Sequence, residues 1–366
     1  MKKFPLILCL ILVVSLLAGC AGTPVVYYTD CTCPADSHTA APAPTDAPVA
    51  EPEAPVLSEG ALKTGLVIST SVKDSKAAAA DAEGEAKYDV TMVAVLVDDN
   101  GVIRDCVIDG VSASINFNAA GEITTKLEVA PVTKNELGDT YGMRKASSIG
   151  AEWNEQAAAI AKFTVGKTVE EFEKGAISET GKAPEGTDLA SSATMYMGSY
   201  VNAVKMAVAS AKHLGAQAGD TLKMATIMKI DGSTAATTEK NGNAQLDINV
   251  VALTMNGETI TSCYLDSTQA KVAFDATGAI KTEDISAPVL SKNELGDTYG
   301  MRKASSIGAE WNEQAASFAK YVTGKTPTEV SGIAITEATK PADADLAASV
   351  TISIIGFMNL IAKTAQ

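Results

Sequence analysis

Apolar and polar residues alternate along several stretches of the chain, and this period of two residues predicts β-strands. The stretch from Lys63 to Val72 alternates and is rich in β-branched residues. Tyr88 to Val97 is a further β segment that runs into residues 98–101 (Asp-Asp-Asn-Gly), before the stretch from Val102 to Asp109. An Asn-Gly turn between two such stretches is typical of an antiparallel hairpin. The same pattern returns around Asn256 and Gly257. We therefore expect an antiparallel sheet in each half of the chain.

One long segment is present twice. Lys134 to Ala158 (KNELGDTYGMRKASSIGAEWNEQAA) recurs letter for letter at Lys292 to Ala316, while the flanking residues differ widely. The chain is therefore a tandem duplication. The identity indicates either that this block was not free to change or that gene conversion was recent.

The second half of the block has the spacing of a helix. Trp153, Ala157, Ile160 and Ala161 recur on one face at helical intervals. The first half, with its glycines and Asp139, predicts a structured loop. We expect Trp153 to lie either in the core on this helix face or in the wall of a ligand site.

A further helix is predicted to close each repeat. In the first repeat it begins near Asp188 to Ser192 and has an apolar stripe, and in the second the stripe contains Met358. Each repeat is then an antiparallel sheet packed with two or three helices, an α+β fold. The predicted boundaries are residues 60–215 and 216–366. The stripes are formed by Met197, Val201, Val204 and Val208, and by Ile354, Met358 and Ile361.

The first 59 residues predict targeting and tethering. Met1 to Gly19 has two lysines and then an apolar run too short to span a bilayer. It ends in Leu-Ala-Gly before Cys20, which resembles the lipobox of bacterial lipoproteins and implies cleavage and acylation at Cys20. Residues 20–59 contain seven of the thirteen prolines and predict an extended spacer. We expect a lipid-anchored protein on the extracytoplasmic face of the cell membrane.

Composition excludes several functions. The formal charge of −15 argues against nucleic acid as a partner. Only two histidines are present, so a histidine-based catalytic or metal site repeated in both halves is excluded. Cys106 and Cys263 occupy equivalent positions on predicted strands and are expected to be inert core residues. Asn135, Glu136 and Asp139 are oxygen ligands, but their spacing does not fit an EF-hand, and no metal site is predicted.

The residues at the predicted start of each closing helix suit phosphate binding. They are Asp188, Ser191, Ser192 and Thr194 in the first repeat, and Asp345 and Thr351 in the second. Hydroxyls in the first turn of a helix lie near unpaired backbone N–H groups, where phosphate is well held. The alternative is that Asp188 and Ser191 only cap the helix.

These strings resemble the flavinylation motif of FMN-binding domains, Asp-x-x-Ser/Thr-Gly-Ala-Thr. In that family a flavin transferase attaches FMN through its phosphate to the threonine. The hairpin strands and the Asn-Ala-Val at residues 202–204 also resemble that family. The layout is similar to lipoproteins with two such domains. Ser192 stands where the family has Gly, and Ala348, Ser349 and Val350 replace three motif residues in the second repeat. Thr194 is therefore the better candidate and Thr351 the weaker.

The resemblance implies a role for the identical block as the wall of a flavin pocket. Its aromatic residues are expected to stack on the flavin ring, and its arginine to face the phosphate or the pyrimidine edge. The residues concerned are Tyr141, Arg144 and Trp153, with their copies Tyr299, Arg302 and Trp311.

Two functions remain open from the sequence. The first is an extracytoplasmic electron carrier that holds covalent or non-covalent FMN and relays electrons from a membrane donor. Such a protein is a redox carrier more than an enzyme with its own substrate. The second is a non-redox surface lipoprotein with two equivalent sites for a ligand.

Overall fold

The protein is described here by a computed structural model that covers residues 60–365. The predicted signal peptide, Cys20 and the spacer 20–59 lie outside the described residues. Within the described range, no helix combines the length and apolar character that a membrane span requires.

The predicted hairpin is present in the first sheet. Strands β1 (Ala61–Ser71), β2 (Gly84–Val97) and β3 (Ile103–Phe117) pair in antiparallel order. In the turn, the Asp98 carboxylate accepts hydrogen bonds from the N–H groups of Asn100 and Val102, both at 2.9 Å. The Asn-Gly signal is therefore confirmed.

A linker strand follows the first repeat. Strand β4 (Lys212–Gln217) pairs with β1, so the first sheet has the order β3-β2-β1-β4. Strands β5 (Thr221–Lys229), β6 (Gly242–Asn256) and β7 (Thr259–Phe274) form the second sheet in that order. The predicted repeat boundary at residues 215 and 216 falls inside β4.

Each repeat has two long helices and three shorter ones. Those of the first are α1 (Lys134–Leu137), α2 (Trp153–Thr164), α3 (Val169–Ala176), α4 (Asp188–Ser192) and α5 (Gly198–Ala209). Those of the second are α6 (Lys292–Leu295), α7 (Trp311–Val322), α8 (Pro327–Ser331), α9 (Ala344–Ala347) and α10 (Ile355–Lys363). Short 3-10 turns lie at Gly138–Tyr141, Met143–Lys145 and Gly296–Tyr299.

The two sheets pack face to face around one shared core. Alternate residues of β2, including Tyr88 and Met92, meet alternate residues of β6, including Leu246 and Ile248. At one end of this core, where β3 and β7 finish, the rings of Phe117 and Phe274 stack, with centroids 4.1 Å apart and planes 6° from parallel. The two repeats thus bury their sheets against each other.

The opposite face of each sheet is covered by its own helices. Val93 and Val95 of β2 pack with α2 and α5, and Val251 and Leu253 of β6 pack with α7 and α10. The layers are therefore helices, sheet, sheet and helices. The predicted α+β class, with two repeats built on antiparallel sheets, is confirmed.

The closing helix is interrupted, which the helical stripe did not predict. Helix α4 ends at Ser192, and Ala193 is extended, with φ −146° and ψ 124°. Ala193, Met195 and Met197 are buried at alternate positions, so the segment between α4 and α5 follows a strand-like period. Thr194 therefore lies in an extended connection, and the prediction that it lies in the first turn of a helix was wrong.

Phe117→Ala should destabilise the whole described unit, because the ring is fully buried between the sheets. A loss of about 3–5 kcal/mol in the free energy of unfolding is expected in urea denaturation. Val129→Ala, at a side chain that is 60% exposed, is the control and should change it by less than about 0.5 kcal/mol. Equal effects of the two substitutions would contradict the shared core.

Candidate functional site

The identical block folds around a buried carboxylate. Glu152 is 2% exposed, and its oxygens accept hydrogen bonds from the N–H groups of Met143 and Arg144 at 2.8 and 2.9 Å. Glu310 binds Met301 and Arg302 in the same way, at 2.8 Å each. The loop before α2 is thereby fixed to the start of the helix, and the arrangement is the same in both repeats.

The arginine of the block is engaged within the block. Arg144 forms ion pairs with Asp139 at 2.8 Å and Glu155 at 3.1 Å, and donates to the carbonyl of Gly150 at 2.9 Å. These hydrogen bonds raise the pKa of Arg144. Arg302 repeats the pattern with its own aspartate and glutamate. Both guanidinium groups brace the loop, contrary to the expectation that they face a flavin phosphate or pyrimidine edge.

The tryptophans belong to the core. Trp153 is 3% exposed, and its Nε1–H donates to the Tyr200 hydroxyl at 3.1 Å. Trp311 is 6% exposed and packs edge-on against Phe357, with ring centroids 5.8 Å apart. Of the two expectations for Trp153, the structure places the side chain in the core, where it does not offer an open face to a flavin.

A lysine completes an aromatic cluster in each block, which the sequence did not reveal. The Nζ of Lys134 lies 5.1 Å from the ring centroid of Tyr141 and 5.2 Å from that of Trp153. In the second repeat the corresponding distances from Lys292 are 5.0 and 4.9 Å, and burial lowers the pKa of Lys292 to about 8. Such contacts stabilise a cation on an aromatic face. Tyr141 and Tyr299 are half-buried in these clusters.

The three residues considered for calcium are also engaged. Asn135 donates through Nδ2 to the carbonyl of Ile108, and Asp139 pairs with Arg144. Glu136 forms an ion pair with Lys363 of the second repeat. Across residues 60–365 no cluster of three histidine, cysteine or acidic side chains is arranged to hold a metal ion.

A buried aspartate anchors the start of each block to the sheet. Asp266 of β7 is 4% exposed and accepts hydrogen bonds from the N–H groups of Ser267 and Asn293, at 2.7 and 3.1 Å. Asp109 of β3 does the same with Gly110 and Asn135. Burial raises the pKa of Asp266 to about 6, and it raises the pKa of Asp109 as well.

The raised pKa of Asp266 has a consequence for pH dependence. Since the folded state favours the protonated carboxyl, its contribution to stability is present below pH 4 and is lost as pH rises to about 6. Asp266→Asn should remove this decline when unfolding is measured in urea between pH 4 and 7.

Asp275→Asn serves as a control of opposite sign when the same measurement is extended from about pH 4 down to about pH 2. Hydrogen bonds from Thr277 and Ala279 lower the pKa of Asp275 to about 2, so its contribution is lost as pH falls. An unchanged pH profile in Asp266→Asn would show that Asp266 titrates normally.

The block reaches the motif threonine through one glutamine. Gln156 is fully buried, and its Oε1 accepts hydrogen bonds from the N–H and the Oγ1–H of Thr194, at 2.9 and 3.3 Å. Its Nε2 donates to Ser147 Oγ at 3.2 Å and to the carbonyl of Ala151 at 3.1 Å. One side chain therefore connects the threonine to the loop of the block.

The second repeat contains the same connection. Gln314 is also fully buried and accepts from the N–H and Oγ1–H of Thr351 at 2.8 and 3.2 Å. Its Nε2 donates to Ser305 and Ala309 at 3.2 and 3.1 Å. The contact has been kept although the residues before Thr194 and Thr351 have diverged.

The other motif residues serve short helical turns. Ser191 and Ser192 donate through Oγ to the carbonyl of Asp188, at 2.9 Å each. Asp188 lies in the first turn of α4, which Thr187 caps, and Asp345 lies in α9, which Asp343 caps. The structure thus places these residues in short helical turns, in agreement with the alternative that they have a local structural role. The capping residues themselves are Thr187 and Asp343.

Thr194 has an exposed aromatic neighbour. Tyr196 follows Thr194 by two residues on the connection between α4 and α5, and it is 70% exposed. The Nζ of Lys182 lies 5.3 Å from the Tyr196 ring centroid. Ile149, 36% exposed, is on the block's turn beside Ser147, which also binds Gln156. The partly exposed Thr194 is thus linked through Gln156 to the turn that carries Ile149, and it lies two residues before the exposed Tyr196.

The second repeat differs at this surface. Ser353 replaces the tyrosine, and its Oγ lies 2.6 Å from the Oγ1 of Thr339, which has a positive φ of 57°. In the first repeat the matching position is Gly181, which lies against the Tyr196 ring. A non-glycine residue at positive φ is strained. The replacement of glycine by Thr339 is therefore unfavourable for the backbone, and it occurs together with the loss of the aromatic side chain.

Comparisons of the chain with protein families, curated proteins and solved structures found no match.

Replacing the buried glutamine should destabilise the fold. Gln156→Leu leaves the N–H of Thr194 without an acceptor, and a loss of about 1–3 kcal/mol in the free energy of unfolding is expected. Gln314→Leu should show a similar loss, because its contacts are the same. Ser148→Ala, at an exposed position, is the control and should unfold in urea like the wild type. If Gln156→Leu and Gln314→Leu also unfold like the wild type, the stabilising role of the two glutamines would be contradicted.

Proposed function

We propose that the two repeats are FMN-binding domains, with FMN attached at Thr194 and, more weakly, at Thr351. The observation that carries this proposal is the buried glutamine between the identical block and each threonine. Duplication preserved that contact together with a threonine whose side chain is partly accessible. A purely structural role for the threonine would not explain why the residues around Thr194 resemble the flavinylation motif.

The chemistry of Thr194 fits phosphate attachment. Its hydroxyl donates to Gln156 Oε1, which leaves the oxygen lone pairs free to attack phosphorus. With a flavin dinucleotide as donor, the Oγ–P bond forms and the pyrophosphate P–O bond breaks, releasing a nucleotide monophosphate. The amide of Gln156 is neutral and cannot take the hydroxyl proton, so the base belongs to the flavin transferase. Gln156 therefore positions the acceptor and does not activate it.

The surroundings of Thr194 also fit a flavin ring. Tyr196 offers an exposed aromatic ring, Ile149 an exposed apolar side chain, and Lys182 a positive charge against the Tyr196 ring. The tryptophans are buried and the block's arginine is held in ion pairs, so the proposal does not rest on these residues. Bound FMN would supply electron transfer, and this chain's residues would supply its attachment and orientation.

The proposed setting is the extracytoplasmic face of the cell membrane. The predicted acylation of Cys20 would hold the protein there, and the predicted spacer 20–59 would separate the repeats from the lipid. With a membrane donor, two flavin sites in one unit would make the chain an electron carrier.

The proposal is tested by coexpression with a flavin transferase. The protein is denatured, and the attached FMN is measured by fluorescence and intact mass. Thr194→Ala should remove most of the signal, because the first repeat retains the aromatic neighbour, and Thr351→Ala should remove the smaller remainder. Ser199→Ala, at an exposed position of α5 outside the motif, is the control and should leave the signal unchanged.

A protein of unshifted mass under these conditions would rule out covalent FMN. If fluorescence titration then shows no binding of free FMN, the flavin proposal fails, and the non-redox surface lipoprotein with two ligand sites becomes the better account.

A further inference from the structure

A short turn of the first repeat lies against the ring of Tyr196. The N–H of Gly181 donates to the carbonyl of Ser178 at 2.9 Å, and the carbonyl of Gly181 accepts from the N–H of Met197 at 2.8 Å. The second of these hydrogen bonds reaches the residue that directly follows Tyr196. The turn and the residue that carries the ring are therefore held side by side by main-chain contacts.

Gly181 is the residue of this turn that contacts the ring. Its φ of +77° lies in the left-handed region, which favours glycine. A Cβ atom at this position would lie 3.3 Å from Cδ1 of Tyr196, closer than ordinary van der Waals contact. A residue with a side chain would therefore strain the backbone and press on the ring. Glycine allows the ring to rest against the main chain.

Most of the Tyr196 ring is open to solvent. Its exposed fraction of 70% compares with 8% for Tyr200, four residues later. On the protein side the ring contacts Gly181, and the Nζ of Lys182 lies 5.3 Å from its centroid. An aromatic ring that is held on one side and open elsewhere is a surface on which a second flat ring can stack.

The second repeat has the same turn without the aromatic ring. The N–H of Thr339 donates to the carbonyl of Thr336, and the carbonyl of Thr339 accepts from the N–H of Ile354, both at 2.9 Å. The main-chain pattern is therefore retained. Thr339 stands in place of the glycine with φ 57°, and Ser353 stands in place of the tyrosine. Glycine and tyrosine are thus replaced together, as expected of two residues in contact.

The exposed ring lies within reach of a group attached to Thr194. Two residues of chain separate Tyr196 from Thr194, so their Cα atoms are at most ~7 Å apart. In FMN a flexible ribityl chain joins the phosphate to the isoalloxazine ring, and it can span such a distance. Lys182 is a cation in a chain of net charge −15, and it favours an anionic ligand at this place.

We propose that Tyr196 binds the isoalloxazine ring of FMN by stacking, and that Gly181 is the positioning residue that holds Tyr196 for this contact. The choice of ligand rests on the proposed function, but the contact does not require a covalent bond at Thr194. The second repeat then has an attachment threonine without a stacking surface. Thr339 and Ser353 are the residues that remove this surface.

The full chain is expressed without a flavin transferase and titrated with free FMN, which is followed by equilibrium dialysis and flavin fluorescence. One FMN per chain is expected, with quenched fluorescence, because a stacked phenol ring donates an electron to the excited flavin. Tyr196→Ala should weaken binding by about tenfold or more. Tyr196→Phe should retain most of the affinity and lose most of the quenching, since phenylalanine stacks but is a poor electron donor.

Gly181→Ala tests the positioning role, and Gly186→Ala is its matched control. Gly186 also has a positive φ, of 79°, but a Cβ there would meet nothing within 4 Å. Both substitutions strain the backbone, and only the first presses on the Tyr196 ring. Gly181→Ala should therefore weaken FMN binding severalfold, whereas Gly186→Ala should leave the affinity unchanged.

A transfer of the two residues to the second repeat tests the same claim as a gain of binding. Thr339→Gly combined with Ser353→Tyr should raise the stoichiometry from one FMN per chain to two. Thr339→Gly alone should leave it at one, because it supplies no aromatic ring. An additional site cannot result from unfolding.

The stacking site would be overturned by any of three results. They are the absence of binding at millimolar FMN, wild-type affinity in Tyr196→Ala, and a stoichiometry that is the same in the wild type and the double variant. Covalent loading of Thr194 together with wild-type affinity in Tyr196→Ala would reject the stacking site alone. Binding of free FMN that depends on Tyr196, without covalent loading by a transferase, would support the stacking site and reject attachment at Thr194.

Discussion

The arrangement of each repeat's surface depends on one buried amide. The side chain of Gln156 has its oxygen and nitrogen both in use: Oε1 accepts from Thr194, and Nε2 donates to the loop of the identical block. A buried amide that loses its partners is costly, so the loop and the threonine can move only together. Gln314 imposes the same constraint in the second repeat. This coupling offers a physical reason for the identity of the two blocks, since a change in the loop would displace the threonine.

Around this constant unit the two repeats have become different. The first keeps Tyr196 exposed over Gly181, and its β3 edge is open to a groove. The second has Ser353 and a strained Thr339, and strand β4 packs against its β7 edge. The shared core between the sheets, which includes the stacked rings of Phe117 and Phe274, holds both repeats in one unit. The two repeats thus differ at these surfaces, while the contacts of the buried glutamines are retained.

Local elements of the fold were predictable from the sequence. The Asn-Gly hairpins follow from turn chemistry, and the helical spacing after Trp153 correctly indicated α2, although it left open whether Trp153 lies in the core or in the wall of a ligand site. The break after α4 had a signal that the helical stripe concealed: Ala193, Met195 and Met197 alternate with polar residues, as in a strand. The packing of both sheet faces also had a signal, because the uninterrupted apolar run from Met92 to Val97 is typical of a strand covered on both sides.

The contacts that define the site were not predictable in this way. Gln156 and Thr194 are 38 residues apart, and their meeting depends on how α2 and the extended connection pack on the same sheet. Arg144 was expected to contact a ligand, but the path of the loop brings Asp139 and Glu155 within its reach. Periodicity identifies which face of an element is buried, and it does not identify partners across the fold.

The central claim is that the identical block positions Thr194 for flavin attachment, and loading of that threonine in Gln156→Leu tests it most directly. The variant and the wild type are coexpressed with a flavin transferase, digested, and compared by the mass of the peptides that contain Thr194 and Thr351. The account predicts loss of FMN from the Thr194 peptide with loading at Thr351 unchanged, and the reverse pattern in Gln314→Leu. Equal loading of Thr194 in folded wild type and folded Gln156→Leu would contradict it.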